Sequence, residues 1–334
     1  MPAPPRHRLD PSQLAALTAH RGLATWGERL VPLGEFRAAA AAAGTRLDAG
    51  ARQAARHRYR QPLPDPTPLE GPFARVAVFG GVYSNHLALA ALLGDAARRR
   101  AEAVYCLGDL GGFGPNPEKT WPLLLGGGVS VLQGNYEQSL AAGREDCNCG
   151  YTDPRDNHFA AISYGYTERH CSPAFKRWMG ELPPRRRVLL GGRELLLVHG
   201  SPRRVNEFLF RSTSPDPFLE VLLDQHRCDA LLCTHTGLHW HRRLPSGRDV
   251  VNVGVIGRPA NDGRPVVWYA LLSAGPGGAD IDVELVPLRY DHRAMAAEVR
   301  AEGLPEEFAE TLLTGWWTTC LEILPARERA ASRF

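Results

Sequence analysis

Four side chains that could bind a metal ion stand at similar places along this 334-residue chain. Each belongs to a short run that follows an apolar, β-branched segment, so each is expected on the loop that leaves a strand. Such loops converge at one edge of the sheet in α/β folds. The set, a carboxylate, an amide and two imidazoles, suits manganese, iron or zinc better than magnesium or calcium. The sequence therefore predicts a metal site at Asp109, Asn135, His199 and His235.

The runs around these residues read, in order, Gly-Asp, Gly-Asn-x-x, Val-His-Gly-Ser-Pro and x-His-Thr-x, between about residues 76 and 288. In this order the chain resembles the calcineurin-like metallophosphoesterases. The resemblance implies an α/β fold of two stacked mixed β-sheets flanked by helices, in an α-β-β-α sandwich. It also implies hydrolysis of a phosphoester by a hydroxide that bridges two metal ions. Asp109 would bridge the two metals, and the other three residues would be ligands of one metal only.

The ligands of the family's other metal are missing. The first family motif, Asp-x-His, has Gly81 in place of its aspartate and Tyr83 in place of its histidine. The last motif, Gly-His-Thr-His, ends here in Gly237. Because the losses all fall on one metal, we expect a site remodelled for one ordinary metal, or for one ordinary metal and one unusual one. A shift of one or two residues in the last motif would instead let His239 or His241 restore a ligand.

The family's catalytic histidine is also changed, to Tyr136. A phenol has an ordinary pKa of about 10, so Tyr136 is a weak general acid at neutral pH unless a metal or cation lowers its pKa. Tyr136, Tyr83 or Glu137 would have to supply the proton transfer that the histidine provides in the family. A phenolate is also a good ligand for ferric iron, so the tyrosines could hold a second metal. The alternative is that both tyrosines fill space and form hydrogen bonds.

Two residues are candidates for binding a phosphoryl or carboxylate group of the substrate. Asn85 matches the asparagine that follows the family's first motif, and Arg203 follows the predicted ligand His199. The planar fork of an arginine suits such anions. An exposed loop arginine without a ligand is the alternative interpretation of Arg203.

Cys147 and Cys149 stand in an unusual loop shortly after the predicted asparagine ligand. Two thiolates one residue apart could coordinate a soft metal or form a redox pair, but their spacing matches no standard zinc motif. The alternative is a lid over the site, ordered by hydrogen bonds among Asp153, Arg155 and Asp156.

The first 72 residues are predicted to form a helical extension that ends in a linker. Asp10 before Pro11 is typical of a helix start, and the alanine-rich segment at 33–43 predicts a second helix before Gly44. Five prolines fall between residues 62 and 72, which predicts an extended, semi-rigid linker at 61–72.

Residues 73–290 alternate between strand and helix, which predicts parallel pairing with right-handed crossovers in a metallophosphoesterase-like domain. Residues 291–334 are predicted to form a C-terminal helical extension. In it, Trp316 and Trp317 lie on one helix and contribute to a large apolar face. We expect that face to pack on the domain, and the alternative is a homodimer interface.

Composition and charge limit the classes of partner. The net charge is +3, from 39 basic and 36 acidic residues, and no basic stripe alternates with aromatic residues as in nucleic-acid binders. Neither a run of about 18 uncharged apolar residues nor a secretory signal is found, so we expect no membrane association. Seven cysteines are an odd number in a chain too long to need disulfides, so reduced thiols are expected. These features predict a cytoplasmic protein that binds a small-molecule phosphoester.

The sequence thus predicts a metal-dependent, phosphoesterase-like hydrolase that acts on a small phosphorylated metabolite or nucleotide. The substrate class comes from the family resemblance alone. One alternative is a protein that binds a metal or a metabolite without hydrolysis. Another is a different metal-dependent reaction at a tyrosine-ligated iron.

Overall fold

The computed structural model describes residues 65–333 and two short strands before them, β1 (Leu23–Trp26) and β2 (Arg29–Pro32). These two strands pair as an antiparallel hairpin, which the prediction of a helical extension did not include. The two predicted N-terminal helices and most of the predicted linker lie outside the described residues.

Five strands form the first sheet: β4 (Arg75–Phe79), β5 (Ala103–Cys106), β6 (Ser130–Val131), β12 (Val267–Ala274) and β13 (Ile281–Leu288). Their order is β13-β12-β4-β5-β6. The pairs β4–β5 and β5–β6 are parallel, as predicted, and β12 is antiparallel to both of its neighbours. The crossovers contain α1 (His86–Arg98) and α2 (Thr120–Gly126), the second preceded by a 3-10 turn at Pro117–Lys119.

Six strands form the second sheet: β3 (Leu69–Phe73), β7 (Arg185–Leu190), β8 (Arg193–Val198), β9 (Ala230–Cys233), β10 (His239–Arg243) and β11 (Asp249–Val253). Their order is β10-β11-β9-β8-β7-β3. β8, β9 and β11 run in parallel, and β7 and β8 form an antiparallel hairpin. The end of the predicted linker is therefore wrong, because residues 69–72 belong to β3, which pairs with β7.

The remaining helices are α3 (Asn135–Ala141), α4 (Pro154–His170), α5 (Pro173–Glu181), α6 (Asp216–His226), α7 (His292–Ala301), α8 (Glu306–Thr314) and α9 (Ala326–Ala330). Of these, α6 lies within the segment Ser214–Arg227, which belongs to a separate compact unit. The buried face of α4 includes the polar residues Asp156, Ser163 and Thr167. Apolar periodicity in the sequence therefore does not indicate this helix. Among the described helices, none combines the length and apolarity needed to cross a bilayer.

Alternate residues of the strands face two different hydrophobic cores, as the two-residue period of a strand requires. Val76 and Val78 of β4 pack in the core shared by the two sheets, together with Leu195 and Leu197 of β8. Neighbouring residues on the opposite face of β4 pack against the helices, Phe79 among them. The observed architecture is therefore the predicted pair of mixed sheets flanked by helices. It brings the ends of parallel strands from both sheets to the region of the predicted ligands.

The C-terminal segment packs on the domain through two apolar clusters. Residues of α7 and α8, such as Phe308, pack with Phe159 of α4. The two tryptophans follow α8 rather than lying on a helix, because Gly315, with φ of +77°, ends α8. Trp317 is completely buried, and its Nε1 donates to the carbonyl of Pro259 at 2.6 Å. The homodimer interface stays a prediction.

Asn85 caps the first helix of the domain. Its Oδ1 accepts a hydrogen bond from the backbone N–H of Ala88, and its Nδ2 donates to the carbonyl of Gly257 at 3.3 Å. The side chain is buried and its oxygen is engaged by the helix. The structure therefore gives Asn85 a structural role instead of the predicted role in substrate binding.

We expect Asn85→Ala to lower the free energy of unfolding by about 1–2 kcal/mol, because the first turn of α1 loses its cap. Chemical denaturation measures the loss. Asn85→Ser, which keeps a capping oxygen, is the matched control and should lose less. An Asn85→Ala variant as stable as the wild type would contradict the assignment.

Candidate metal centre

The four predicted ligands stand where strands of both sheets end. Asp109 comes three residues after β5, and Asn135 is the first residue of α3, shortly after β6. His199 follows β8 directly, and His235 comes two residues after β9. The ligands are therefore contributed by loops of two sheets that share one core.

Three of these side chains meet at one point. One ligand atom each of Asp109, His199 and His235 lies within 4.8 Å of the others. Nε2 of His199 is 3.0 Å from Nδ1 of His235 and 3.3 Å from Oδ2 of Asp109. All three residues are buried. The spacing is that of side chains that can share one ion.

Backbone carbonyls fix which nitrogen of each imidazole faces this point. Nδ1 of His199 lies 2.6 Å from the carbonyl of Leu107, and Nε2 of His235 lies 3.2 Å from the carbonyl of Cys149. A carbonyl only accepts, so each of these nitrogens carries a proton. The lone pairs on the other two nitrogens then face each other. A cation between them removes their repulsion, and carbonyl partners of this kind orient metal-binding histidines.

The charges of the three groups also favour a cation. Burial lowers the pKa of His199, but the carboxylate of Asp109 outweighs burial and holds this pKa above its ordinary value. Burial raises the pKa of Asp109, but the nearby His199 lowers this pKa by more. The net pKa of Asp109 is below its ordinary value, which favours the ionised carboxylate. Burial, assisted by His199, lowers the pKa of His235 to about 3. The cluster therefore favours the addition of one positive charge, either a proton on His199 or a metal ion.

Asn135 presents a fourth acceptor that has no partner. Its Nδ2 donates to the carbonyl of Cys147 at 2.7 Å and contacts Sγ of Cys149 at 3.4 Å. Its Oδ1 is buried and accepts no hydrogen bond from any described residue. A buried acceptor of this kind requires a donor or a cation. The chain's residues thus fit a metal ion bound by one carboxylate, one amide and two imidazoles, a set typical of manganese, iron or zinc.

Two of the ligands adopt backbone conformations that are rare for side-chain-bearing residues. Asp109 has φ of +58° and His235 has φ of +67°. Left-handed backbone at residues other than glycine costs about 1–3 kcal/mol each and concentrates at functional sites. Hydrogen bonds from Asn252 to the carbonyl of Thr234 and to Oγ1 of Thr236 hold the turn around His235.

Glu137 ties two of the ligand loops together. Its carboxylate accepts hydrogen bonds from the backbone N–H groups of Asp109, Leu110 and Gly134, all at 2.8 Å. Both oxygens are occupied and the residue is fully buried. The predicted role of Glu137 in proton transfer is therefore replaced by a role in positioning the loops that carry Asp109 and Asn135.

Tyr136 is a core residue. Its hydroxyl hydrogen-bonds Oγ of Ser163 at 3.0 Å, and its ring packs edge-on against Tyr164. Burial raises the pKa of Tyr136 well above the ordinary value. Both observations oppose the predicted roles of general acid and of phenolate ligand to ferric iron.

Tyr83 contacts the loop that carries Asp109. Its backbone N–H donates to the carbonyl of Asp109 at 3.1 Å, and its ring packs edge-on against Phe113. Burial, with the carboxylate of Asp109, raises the pKa of this phenol well above its ordinary value. Tyr83 is therefore a neutral hydrogen-bonding group at neutral pH.

Large side chains fill the positions of the missing family ligands. A Cβ on Gly81 would lie 2.5 Å from Cγ1 of Val255 and 2.8 Å from Cζ of Tyr83. A Cβ on Gly237 would lie 2.7 Å from the indole of Trp317 and 3.4 Å from a guanidinium nitrogen of Arg258. The space beside these glycines is occupied by the chain itself.

The alternative alignment of the last motif is wrong. His239 stacks on the indole of Trp268, with ring centroids 3.9 Å apart. His241 pairs through Nε2 with Oδ1 of Asp249 at 2.7 Å. Both histidines lie on β10, where these partners engage them, so neither restores the missing ligand.

Arg203 lies in the loop after His199 and pairs with Glu207 at 3.3 Å. Glu207 also accepts a hydrogen bond from Ser201 of the same loop. The pair orders this loop, and the predicted contact of Arg203 with a substrate anion stays a prediction.

The cysteine loop lies directly beside the ligands, and its two cysteines form a disulfide. The backbone carbonyls of Cys147 and Cys149 hold Asn135 and His235, as described above. The expectation of reduced thiols is wrong for this pair, whereas the other five cysteines are free and buried.

Hydrogen bonds among Asp153, Arg155 and Asp156 were predicted to order this region. Asp153 does accept a hydrogen bond from the backbone N–H of Arg155, and it thereby caps α4. Asp156 instead accepts from the backbone of residues 322 and 323.

Arg258 and Trp317 also lie beside Gly237, close to the His235 loop, and the sequence did not predict this position for either residue. They are distant along the chain from every motif and carry no local pattern that would point to the site. For Asn85, an asparagine directly before the apolar segment that begins at His86 is a signal that could have identified a helix cap.

Comparisons with known proteins agree with the fold. No family model matches the chain. An uncharacterized protein from Methanocaldococcus jannaschii is 24% identical over 250 residues, which cover 72% of this chain and 98% of that protein. A metallophosphoesterase from Sphaerobacter thermophilus superposes with a TM-score of 0.55 at 23% identity, over 72% of this chain and 99% of that one. A hypothetical protein from Pyrococcus horikoshii gives 0.60 at 22% identity, over 74% and 100%. The chain has the metallophosphoesterase fold, as its motifs predicted.

We expect His199→Ala and His235→Ala to lose metal binding, because each removes a nitrogen that faces the ion. Metal content after loading with Mn²⁺ or Zn²⁺ and desalting measures the loss. His241→Gln is the matched control and should retain the wild-type metal content. Loss of metal in the control, or retention in both alanine variants, would place the site elsewhere.

We expect Glu137→Gln to lower the free energy of unfolding by about 1–3 kcal/mol, because an amide cannot accept from all three backbone donors. The same change should weaken metal affinity by about 10- to 100-fold, the usual effect of losing a group that positions ligands. Denaturation and metal titration give the two values. The control is the reverse isosteric change on the neighbouring residue, Gln138→Glu, which should change neither the free energy of unfolding nor the metal affinity strongly. Equal effects at both positions would refute the role of Glu137 in positioning the loops.

Proposed function

We propose that this protein is a calcineurin-like metallophosphoesterase that hydrolyses a small phosphorylated metabolite or nucleotide at a site with one ordinary metal ion. The observation that supports the proposal most strongly is the convergence of three ligand atoms within a metallophosphoesterase fold, with the buried and unpartnered amide oxygen of Asn135 as a fourth acceptor. The four atoms are Oδ2 of Asp109, Oδ1 of Asn135, Nε2 of His199 and Nδ1 of His235. Hydrolysis itself is carried over from the resemblance of the motifs.

An Mn, Fe or Zn ion at these ligands would polarise a phosphoryl oxygen as a Lewis acid and lower the pKa of water. The protein's own contribution is to hold the ligands in place before substrate binds. The Leu107 and Cys149 carbonyls fix the imidazoles, and Glu137 fixes the loops of Asp109 and Asn135. The ring of Phe208, 4.3 Å from that of His235, covers one side of the centre with an apolar surface.

A single ordinary metal is supported by the filling of the other half of the family's site. Val255 and Tyr83 lie against Gly81, and Trp317 lies against Gly237. Restoring a ligand side chain at either glycine would require these neighbours to move. We therefore propose that the site works with one metal and with fixed protein groups in place of the second.

Tyr83 is the best candidate for a group that contacts the reacting phosphoryl. Its phenol is near Asp109 and, because its pKa is raised, it keeps its proton at neutral pH. A neutral phenol donates a hydrogen bond to developing negative charge without giving up the proton. Since the chain then lacks the family's histidine acid, substrates with good leaving groups should react fastest.

Hydrolysis should be tested on the metal-loaded protein with a panel of phosphomonoesters, phosphodiesters and nucleotides, scored by phosphate release or product chromatography. We expect turnover of at least one class, loss of turnover in His199→Ala, and near wild-type turnover in His241→Gln. Metal analysis should give one ion per chain. Bound metal without hydrolysis of any compound would favour the binding-protein alternative, and a violet charge-transfer band would favour the tyrosine-ligated iron.

The two tyrosines provide a matched pair of variants. Tyr83→Phe should lower kcat by about 100-fold, the usual effect of removing one hydrogen-bond donor to transition-state charge. Tyr136→Phe should leave kcat close to the wild-type value and lower stability by about 1 kcal/mol, through the lost contact with Ser163. Steady-state kinetics and denaturation separate the two effects. If only Tyr136→Phe reduced kcat, the assignment of the two phenols would be reversed.

A further inference from the structure

Arg258 is a buried arginine in the loop that follows β11. Only 5% of its surface is exposed. Within the described part of the chain, its Nε is buried without a hydrogen-bond acceptor, and no carboxylate forms an ion pair with its guanidinium. Other arginines of the domain do have carboxylate partners, such as Arg99 with Asp95 and Arg264 with Asp262. Arg258 is therefore a buried cation without a counter-ion.

Aromatic rings surround the guanidinium. Its carbon lies 3.5 Å from the ring centroid of Trp317, 4.5 Å from that of Phe113 and 5.9 Å from that of Tyr83. Cation–π contacts of this kind are favourable, most of all when they are shielded from water. They satisfy no N–H donor, whereas removing a charge from water costs several kcal/mol. The rings hold the guanidinium in position but leave its donors available for an anion.

The guanidinium lies beside the loops that carry the metal ligands. One of its terminal nitrogens is 3.4 Å from the Cβ position of Gly237, two residues after His235. Tyr83, over whose ring it lies, is hydrogen-bonded through its backbone to Asp109. A fixed positive charge thus stands beside the loop that carries His235 and beside Tyr83.

The cavity beside Arg258 is small and has no acidic side chain in its lining. The small cavity against Arg258 has a volume of about 10 Å³, which holds about one water molecule. Its lining consists of apolar side chains, glycine backbone and two threonines. No carboxylate in this lining therefore competes with an anion for the guanidinium.

We propose that Arg258 binds the phosphoryl group of the substrate and supplies, as a permanent charge, the positive charge that a second metal would otherwise contribute. The planar guanidinium can donate two parallel hydrogen bonds to phosphate oxygens. The identity of the anion rests on the proposed phosphoesterase function, whereas the unpaired charge and its position do not. Arg258 is thus a substrate-binding residue that no motif of the sequence marks.

The test uses inorganic phosphate as the probe and titration calorimetry as the measurement. Arg258→Met keeps most of the side-chain volume in the aromatic stack and removes the charge. We expect it to bind phosphate at least about tenfold more weakly than the wild type, equivalent to about 1.4 kcal/mol. Its free energy of unfolding should be unchanged or higher, because a buried, unpaired charge is removed.

Arg264→Met is the matched control. Arg264 also lies over an indole, that of Trp268 at 5.0 Å, but it has Asp262 as its partner. Phosphate affinity of this variant should equal that of the wild type. Arg258→Lys keeps the charge without the planar fork, so we expect intermediate affinity. This variant also gives an answer if Arg258→Met does not fold.

A metal-free background separates this proposal from the proposed function. In His199→Ala, phosphate affinity should still fall when Arg258→Met is added. If the wild-type protein hydrolyses no compound of the panel but this loss of phosphate affinity is still measured, the anion site is supported and the proposed hydrolase is rejected. Equal phosphate affinity in wild type and Arg258→Met, or no phosphate binding by the wild type, would overturn the proposal and leave a hydrated structural arginine.

Discussion

The central constraint in this protein is the meeting of hydrogen-bond acceptors that have no donor between them. Lone pairs of His199 and His235 face each other at 3.0 Å, with the Asp109 carboxylate beside them. Such an arrangement is stable only with a cation or a proton at its centre, since the lone pairs otherwise repel. The carbonyls of Leu107 and Cys149 impose it by holding the opposite nitrogen of each ring. Most features of the surrounding structure can be understood as support for this arrangement.

That support comes from several parts of the chain. Leu107 follows β5, so the strand that carries Asp109 also orients His199, a residue of the other sheet. Glu137 joins the loops that leave β5 and β6. The disulfide loop contributes carbonyls to both Asn135 and His235. These contacts are made by strand ends and buried groups of the chain. They therefore hold the metal-binding atoms in position before an ion binds.

The space beside Gly81 and Gly237 is a packed, largely aromatic region. Glycines at 81 and 237 admit the side chains of Val255, Tyr83 and Trp317, which would collide with larger residues there. Trp317 comes from the C-terminal segment, so that segment completes the neighbourhood of the metal centre as well as the core. Arg258 is held by the same rings. The rings that fill the space beside these glycines therefore also hold the buried cation.

The amino-acid sequence by itself determined the fold and the four residues proposed as metal ligands. Each ligand follows its strand within a few residues, and local patterns of apolar residues and glycines are read from the chain directly. The sequence misassigned Glu137 and Tyr136, because adjacency to Asn135 does not reveal which way a side chain on a helix points. In the folded chain, Glu137 faces backbone amides and Tyr136 faces Ser163. Tertiary structure alone decided what fills the vacated half-site, since Arg258 and Trp317 reach it only through packing between segments far apart in sequence. Such contacts depend on the shape of the whole core, which no local pattern records.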